Sequence, residues 1–172
     1  MINLKNCIRS IPDYPKKGIL FYDIATLLAN GEALKETINR MADSISALKP
    51  DYICGIDARG FVIGASVAEK LGIGFVMVRK KGKLPGEVVS RSYTLEYGEN
   101  TLEIQKDIMK PGSKVVLCDD LLATGGTANA AIELIKSVGV SVVHAAFIIE
   151  LNFLNGRNNI SVPVSSLIQY DE

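Results

Sequence analysis

Hydrophobic positions along the chain follow two spacings that alternate with each other. Apolar residues recur at three- and four-residue steps in three segments, which is typical of helices with one face on a core: 31–49, 60–71 and 127–138. Four short apolar runs predict buried strands: 52–56, 73–78, 114–118 and 141–149. Pro50 closes the first helix, and Gly72 is a suitable end for the second, because glycine readily adopts the left-handed conformation of a helix end.

This order of elements indicates one fold class. Strands that alternate with helices of this length pair in parallel through right-handed crossovers, and a parallel sheet is covered on both faces. We therefore predict an α/β fold with a single-domain, open, mostly parallel sheet flanked by helices. No internal repeat, low-complexity tract or linker divides the 172 residues, so we expect one domain over 1–172.

One long connection departs from the alternation. Residues 79–103, RKKGKLPGEVVSRSYTLEYGENTLE, begin with basic side chains, contain several glycines and then alternate only weakly between apolar and polar positions. The pattern predicts a mobile loop that leads into a short hairpin. Long connections inside compact domains are usually functional, so we expect this one to act as a lid over a site.

Composition narrows the class of function. Lys and Arg together number 19, as do Asp and Glu, so no overall positive charge favours a nucleic-acid partner. No apolar run approaches the ~20 residues of a membrane helix, and the first residues lack the apolar core and cleavage site of a signal peptide. The three cysteines, Cys7, Cys54 and Cys118, are far apart and show no metal-binding spacing. We therefore expect a cytoplasmic protein without a membrane partner.

A single histidine limits the chemistry further. His144 lies within the apolar run VSVVHAAFII, where it is expected to be a structural residue of a strand. With one histidine and no clustered cysteines, the sequence excludes a histidine-rich metal site and disfavours a Cys–His pair. Catalysis would then depend on carboxylates, basic side chains and backbone amides.

The most informative stretch is KVVLCDDLLATGGTANAA, residues 114–131. A buried strand brings Asp119 and Asp120 to its carboxyl end, where ligands bind in open α/β sheets. A turn then opens a helix, and its residues are Ala123, Thr124, Gly125, Gly126 and Thr127. Its glycines allow backbone N–H groups to converge on an anion, and the helix N-terminus and the two threonine hydroxyls add to that attraction.

Two carboxylates beside a phosphate site would repel the phosphate if they faced it. They fit if they face ribose hydroxyls, which donate hydrogen bonds, or a bound Mg²⁺. The stretch therefore predicts a ribose-phosphate site. The simpler alternative is a helix cap with a glycine turn, which needs only one such residue. No P-loop motif and no dinucleotide-binding motif G-x-G-x-x-G after a strand is present.

VVLCDDLLATGGTA resembles the signature of type I phosphoribosyltransferases that binds phosphoribosyl pyrophosphate (PRPP), in its adenine-specific form. Four further segments resemble the same family in the same order: FYDIATLL, GIDARGFVIG, RKKGKLPGEVVSRSYTLEYG and SSLIQYDE. The resemblance covers nearly the whole chain. It implies the transfer of the 5-phosphoribosyl group from PRPP to adenine, giving AMP and pyrophosphate in purine salvage. It also implies Mg²⁺, bound mainly through PRPP, and a homodimer.

The resemblance assigns roles to particular residues. The ribose and 5′-phosphate of PRPP would be held by Asp119, Asp120 and the turn from Ala123 to Thr127. The pyrophosphate would be held by residues at two other strand ends: Asp57, Ala58, Arg59, Arg79, Lys80 and Lys83. Arginine suits bidentate phosphate contacts and lysine supplies a mobile charge; the alternative is a solvated basic loop. The junction of Asp57 and Ala58 resembles a cis non-proline peptide of the family.

Glu96 and Arg59 are the expected catalytic residues. Bond breakage at the anomeric carbon leaves an oxocarbenium-like centre, and the incoming base must lose a proton. A carboxylate on a closing loop can serve both needs, and by resemblance Glu96 is the general acid/base. The alternatives are an exposed hairpin glutamate at 96 or confusion with Glu99 or Glu103.

Adenine recognition is expected in an N-terminal segment of about 30 residues that covers the base. By resemblance Phe21 stacks on one face of adenine, Leu121 presses on the other, and the backbone at Leu20 and Tyr22 reads the base edge. Tyr22 stands where the family frequently has arginine.

The sequence leaves two alternative functions to compare with an adenine-specific transferase. A purine- or PRPP-sensing regulator would keep the fold and lose catalysis, but such proteins resemble transferases joined to a DNA-binding domain, and the chain has no room for one. An enzyme for hypoxanthine, guanine or xanthine would share the phosphate site, but the YTLEYG and LPG segments argue against it.

Overall fold

The computed structural model describes residues 2–94 and 99–172. The chain begins with a 3₁₀ helix, Leu4–Cys7, and then forms nine strands and four α-helices in these residues. The strands are β1 (Arg9–Pro12), β2 (Leu20–Asp23), β3 (Tyr52–Ile56), β4 (Gly74–Lys80), β5 (Val88–Thr94), β6 (Glu99–Gln105), β7 (Lys114–Leu122), β8 (Ser141–Leu151) and β9 (Val164–Tyr170). The helices are α1 (Ala25–Leu28), α2 (Gly31–Ser46), α3 (Arg59–Leu71) and α4 (Gly126–Ser137). Two more 3₁₀ helices, Asn152–Leu154 and Gly156–Asn159, lie between β8 and β9.

The main sheet has seven strands in the order β5-β6-β4-β3-β7-β8-β9. Five of them, from β4 to β9 in that order, pair in parallel. The hairpin of β5 and β6 joins the β4 edge in antiparallel fashion. The expected α/β class with a mostly parallel sheet is therefore confirmed. A separate two-stranded antiparallel sheet is formed by β1 and β2.

Two hydrophobic clusters cover the two faces of the main sheet. On β7, Val116 and Cys118 point into the cluster that includes the buried residues of α2 and α3. Their neighbours Val115 and Leu117 point into the other cluster, with α4 and the hairpin. This alternation follows from the two-residue period of a strand, and it explains why the central strands read as continuous apolar runs rather than alternating ones.

Local chemistry explains where the helices begin and end. The Asn30 side chain accepts hydrogen bonds from the N–H groups of Glu32 and Ala33, both at 3.1 Å, and so caps the first turn of α2. Helix α3 ends at Gly72, which adopts the expected left-handed conformation with φ 68°. Helix α2 ends at Ser46, before the predicted boundary at 49, and Lys49 itself has a positive φ of 49°.

Several strands are longer than predicted. β7 continues to Leu122, so that both acids of the signature lie within it, because Asp119 and Leu121 pair with Phe147 and Ile149 of β8. β4 continues to Lys80 because its end pairs with β6. Within the described residues, no helix is long and apolar enough to span a membrane.

Glycines bring the loop after β3 into close contact with its neighbours. A Cβ atom on Gly55 would lie 2.4 Å from the backbone carbonyl oxygen of Gly60. A Cβ atom on Gly60 would lie 2.9 Å from Oδ1 of Asp119. Side chains at either position would separate β3, the start of α3 and the end of β7.

We expect Gly55→Ala to lower thermal stability. The added methyl group meets backbone rather than a flexible side chain, and overpacking of this kind costs about 1–3 kcal/mol. For a chain of this size the melting temperature should fall by roughly 2–4 °C per kcal/mol. The matched control is Gly31→Ala, where a Cβ atom has nothing within 4 Å. Equal melting temperatures for the two variants would contradict the expectation.

Candidate active site

The parallel register brings the predicted segments to one edge of the sheet. β3 lies between β4 and β7, with Gly55 level with Met77 on one side and with Cys118 on the other. The ends of these strands and the residues that follow them therefore lie side by side: 57–59, 79–83 and 119–127. This is the edge at which open α/β sheets bind ligands.

The turn after β7 encloses a small cavity of about 80 Å³. Gly125 has φ 83° and precedes the first residue of α4, so a left-handed residue is required where the strand turns into the helix. The cavity is lined by Asp119, Leu121, Leu122, Ala123, Thr124, Gly125, Gly126, Thr127 and Ala128. The N-terminus of α4 faces this turn, which gives the cavity the features of an anion site.

The hairpin reaches the same turn through a residue that the sequence did not single out. The Thr127 hydroxyl lies 3.4 Å from the Tyr93 hydroxyl of β5, a long hydrogen bond. Tyr93 lies in the YTLEYG segment, but that resemblance gave it no role, because its contact with Thr127 depends on how the hairpin folds over α4.

The two acids of the signature have different environments. Asp119 Oδ1 accepts the N–H of Asp120 at 2.9 Å, while the Asp120 carboxylate pairs with the Arg59 guanidinium. Burial, reinforced by the neighbouring Asp120 charge, raises the pKa of Asp119 well above its ordinary value. The structure thus joins Arg59, expected on the pyrophosphate, to Asp120, expected on the ribose.

The loop after β3 carries a second group of charged residues. The peptide bond between Asp57 and Ala58 is cis, as the resemblance implied. Arg79 Nε donates to Asp57 Oδ2 at 3.1 Å, and Arg79 Nη1 donates to the Lys83 carbonyl at 3.2 Å. The Arg79 guanidinium also lies 5.6 Å from the centre of the Phe61 ring. These contacts connect two of the three strand ends.

The lysines of the basic run are on the surface. Lys80 and Lys83 are both exposed at the end of β4 and in the turn beyond it. Both side chains are accessible to a ligand at this edge of the sheet, but no contact in the structure indicates which ligand group they would bind.

A larger cavity of about 860 Å³ lies next to the turn from Ala123 to Thr127. Leu20 and Tyr22 line it, together with Thr124 and Gly126 of the turn. Its volume lies within the range of small-molecule sites, about 300–1,000 Å³. The predicted base segment and the predicted phosphate-binding turn therefore line one cavity.

Phe21 and Leu121 are placed differently from Leu20 and Tyr22. The Phe21 ring packs edge-on against Tyr14, with centroids 5.1 Å apart, and Phe21 is not among the described residues that line the large cavity. The reason is strand geometry, since successive side chains of β2 point to opposite faces. Leu121 lines the small cavity at the turn instead. Stacking of either residue on a base stays a prediction.

Tyr22 is anchored by the last strand of the sheet. Its ring stacks on Tyr170 with centroids 3.6 Å apart, and its hydroxyl donates to the Glu172 carbonyl at 3.0 Å. The rest of the cavity lining was not predicted as site residues: Gly18, Ile19, Thr94, Leu151, Phe153, Leu154 and Glu172. They come from separate parts of the chain. Only Thr94 and Glu172 lie in segments that resemble the family, and the resemblance gave neither a role.

The structure describes the surroundings of Glu103 in the hairpin but not those of Glu96. Glu96 lies outside the described residues. Glu103 is 5% exposed, and its carboxylate accepts hydrogen bonds from the Gly82 N–H at 2.8 Å and the Ser90 hydroxyl at 3.1 Å. Glu103 therefore stabilises the base of the hairpin and is not free to take a proton from a substrate.

No protein-only metal centre is found in the described part of the chain, where no three His, Cys, Asp or Glu side chains converge. His144 lies on β8, and its Nε2 is 2.9 Å from the Ser165 hydroxyl. Burial and the nearby Arg157 charge lower its pKa. These contacts agree with the structural role expected for it.

Comparison with known proteins identifies the class. The family model of the phosphoribosyl transferase domain matches residues 25–162. With an acidic strand end, an anion-binding turn and a cavity beside it, the chain belongs to the phosphoribosyltransferases.

Individual relatives define the family more closely. The chain is 56% identical over 170 residues to an adenine phosphoribosyltransferase of Rhodospirillum rubrum, covering 99% of both chains. A crystal structure of adenine phosphoribosyltransferase from Thermoanaerobacter pseudethanolicus has 47% identity and a TM-score of 0.94, covering 97% of this chain and 98% of that one. The Saccharomyces cerevisiae enzyme, crystallised with an imino-altritol bisphosphate and adenine, has 40% identity and a TM-score of 0.91, covering 95% and 96%. Within the phosphoribosyltransferases, the chain is therefore a member of the adenine phosphoribosyltransferase family.

We expect Asp119→Asn to stabilise the fold at neutral pH. Because the pKa of Asp119 is raised, the folded state holds its proton more tightly than the unfolded state does, and stability is lost as pH rises above the ordinary value of 3.8. The amide removes this cost and can still accept the N–H of Asp120. Thermal unfolding at pH 7 should therefore show a melting temperature a few degrees above that of the wild type, and the gap should shrink towards pH 4.

Asp120→Asn is the matched control for this experiment. It also relieves Asp119 of the neighbouring charge, but it removes the partner of Arg59, so its melting temperature should stay below that of Asp119→Asn. A lower melting temperature for Asp119→Asn at pH 7, or a gap independent of pH, would show that the Asp119 carboxylate does not oppose folding.

Proposed function

We propose that the chain transfers the 5-phosphoribosyl group of PRPP to adenine, with the residues of this sheet edge in the roles given below. One observation carries the proposal: Thr124 and Gly126 line both the anion-binding turn and the large cavity. A sugar phosphate held in the turn would thus extend towards a cavity lined by Leu20 and Tyr22. The relative from S. cerevisiae, crystallised with adenine, supports the choice of base.

The turn from Ala123 to Thr127 would hold the 5′-phosphate. Its backbone N–H groups and the N-terminus of α4 supply partial positive charge, and the hydroxyls of Thr124 and Thr127 can donate to phosphate oxygens. Asp119 and Asp120 would accept hydrogen bonds from the ribose hydroxyls. The ion pair with Arg59 keeps the Asp120 charge compensated before substrate arrives.

Arg59, Arg79, Lys80 and Lys83 would hold the pyrophosphate, with the backbone of Asp57 and Ala58 close to it. Asp57 keeps Arg79 at the strand end, and Phe61 supports the same guanidinium. Fixed arginines can bind phosphate oxygens in a bidentate manner, and the exposed lysines add charge. Charge neutralisation of the leaving pyrophosphate is the main electrostatic contribution of these residues.

Mg²⁺ fits this site as a companion of PRPP rather than as a resident of the protein. The described residues offer the carboxylates of Asp119 and Asp120, and Asp120 is already paired with Arg59. The ion would be bound chiefly by PRPP oxygens, where it supplies additional neutralisation of the leaving group.

Glu96 would accept the proton that adenine loses. The bond between the anomeric carbon and the pyrophosphate oxygen breaks, the carbon bonds to a ring nitrogen of adenine, and the proton of that nitrogen passes to the Glu96 carboxylate. A negative carboxylate above the oxocarbenium-like carbon also stabilises its charge. The burial of Glu103 removes one competing candidate for this role.

Two further features remain predictions of the family resemblance. The chain is expected to form a homodimer. A reducing, cytoplasmic setting is supported by three cysteines without disulfide partners: Cys7, Cys54 and Cys118.

The first test of the proposal is pyrophosphate release by the purified protein with PRPP and Mg²⁺, with adenine, hypoxanthine or guanine as the base. We expect release with adenine only, because the chain belongs to the adenine phosphoribosyltransferase family. Release with the oxopurines would show that the assignment of the base segment is wrong. PRPP binding without release for any base would favour the regulator.

Glu96→Gln should lower kcat by about 10²–10⁴-fold, the range for loss of a general acid/base, with little change in the KM for PRPP. Glu99→Gln is the matched control from the same hairpin and should keep nearly full activity. If Glu99→Gln shows the large loss and Glu96→Gln does not, the proton belongs to Glu99.

A further inference from the structure

The segment between β8 and β9 packs directly on the back of the anion-binding turn. A Cβ atom on Gly156 would lie 2.0 Å from the Ala123 carbonyl oxygen, and one on Gly125 would lie 2.4 Å from the Gly156 carbonyl oxygen. The Asn159 side-chain amide donates to the Thr124 carbonyl at 2.8 Å. The turn is therefore in contact with backbone and with one polar side chain on the side away from its cavity.

These contacts determine the direction of two peptide groups. The Ala123 carbonyl oxygen is 2.0 Å from the Cβ position of Gly156 and the Ala123 carbonyl carbon is 3.0 Å from it, so the C=O bond points at Gly156. The Thr124 carbonyl points at Asn159. In a planar trans peptide, C=O and N–H point in opposite directions. The Thr124 N–H is therefore directed away from Gly156 and the Gly125 N–H away from Asn159, although the Gly125 nitrogen itself lies 3.0 Å from the Cβ position of Gly156.

The position of this segment is itself held by an ion pair between a buried glutamate and an exposed arginine. Glu150, 4% exposed at the end of β8, accepts from Arg157 Nε at 2.9 Å and Nη2 at 2.5 Å. The Ser166 hydroxyl donates to the same carboxylate at 2.6 Å, and Arg157 Nη1 donates to the Val164 carbonyl at 2.8 Å. Arg157 lowers the pKa of Glu150, so the pair stays ionised at neutral pH. The segment is thereby fixed to both β8 and β9.

We infer that Asn159 is a positioning residue for the 5′-phosphate, with Gly156 beside it and the Glu150–Arg157 pair behind it. Asn159 does not contact the substrate. Asn159 takes no part in the chemical step. Its hydrogen bond keeps the Thr124 carbonyl directed away from the phosphate, so that the Gly125 N–H is directed towards the phosphate. The inference rests on the proposed function only in taking this turn as the phosphate site.

The test uses the full chain and four variants at three neighbouring exposed positions, 157 to 159. Asn159→Ala removes the donor to Thr124. Asn159→Asp keeps the size and places a second acceptor against the Thr124 carbonyl. Asn158→Ala is the matched control, because Asn158 is also exposed and its side chain has no hydrogen bond among the described residues.

Binding of ribose 5-phosphate, which carries the 5′-phosphate without pyrophosphate or base, is measured by calorimetry. We expect the Kd to rise about fivefold for Asn159→Ala, the effect of one neutral hydrogen bond, and further for Asn159→Asp. The KM for PRPP should rise in parallel, while the KM for adenine and the melting temperature stay near the wild-type values. Arg157→Lys, which keeps the charge but loses the two-pronged contact, should raise the same Kd.

Equal Kd values for Asn159→Ala and Asn158→Ala would overturn the inference, as would an equal rise in the KM values of both substrates. Failure of the proposed function is a separate outcome. If the wild type binds ribose 5-phosphate but releases no pyrophosphate with any base, the transferase activity is refuted while the comparison of Kd values still decides the role of Asn159. A wild type that does not bind ribose 5-phosphate would refute both.

Discussion

The site depends on the close parallel pairing of β3 with β7. Gly55 is level with Cys118 in this pair, and the absence of side chains at Gly55 and Gly60 allows the start of α3 to approach both strands. That approach is what brings Arg59 to the carboxylates at the end of β7. A sheet with the same strands but a wider loop after β3 would keep its two hydrophobic clusters and lose the ion pair at the ligand edge. Packing at two glycines is therefore a condition for the electrostatics of the site.

The architecture of the main sheet was largely accessible from the sequence. The four predicted strands and three predicted helices exist, because long apolar periodicities reflect burial on one or both faces. Three strands outside the buried centre of the sheet were not predicted. β1, β2 and β9 contain few buried residues in a regular pattern, as the half-buried run of β9 shows, and their pairing depends on tertiary contacts rather than on local preference.

The candidate site was predictable where one motif contains it and not where the fold assembles it. The turn from Ala123 to Thr127 could be recognised because its function resides in consecutive backbone groups. The contacts of Tyr22 with Tyr170, of Thr127 with Tyr93 and of Asn159 with Thr124 join residues far apart in sequence. No spacing rule connects such pairs. The pairing of Arg59 with Asp120 also required the structure, since each residue was predicted to contact a different part of the substrate.

The stack of Tyr22 on Tyr170 has a consequence for the order in which the chain is synthesised. By the time residue 163 has been added, the nascent chain already contains the turn, both acids and the basic run. It still lacks the strand on which Tyr22 of the predicted base segment rests, because β9 is made after all of them. Tyr170, on whose ring Tyr22 stacks, is added to the growing polypeptide about 150 residues after Tyr22. A message cut short before β9 would therefore encode a product with both acids and the basic run but without the strand that supports Tyr22.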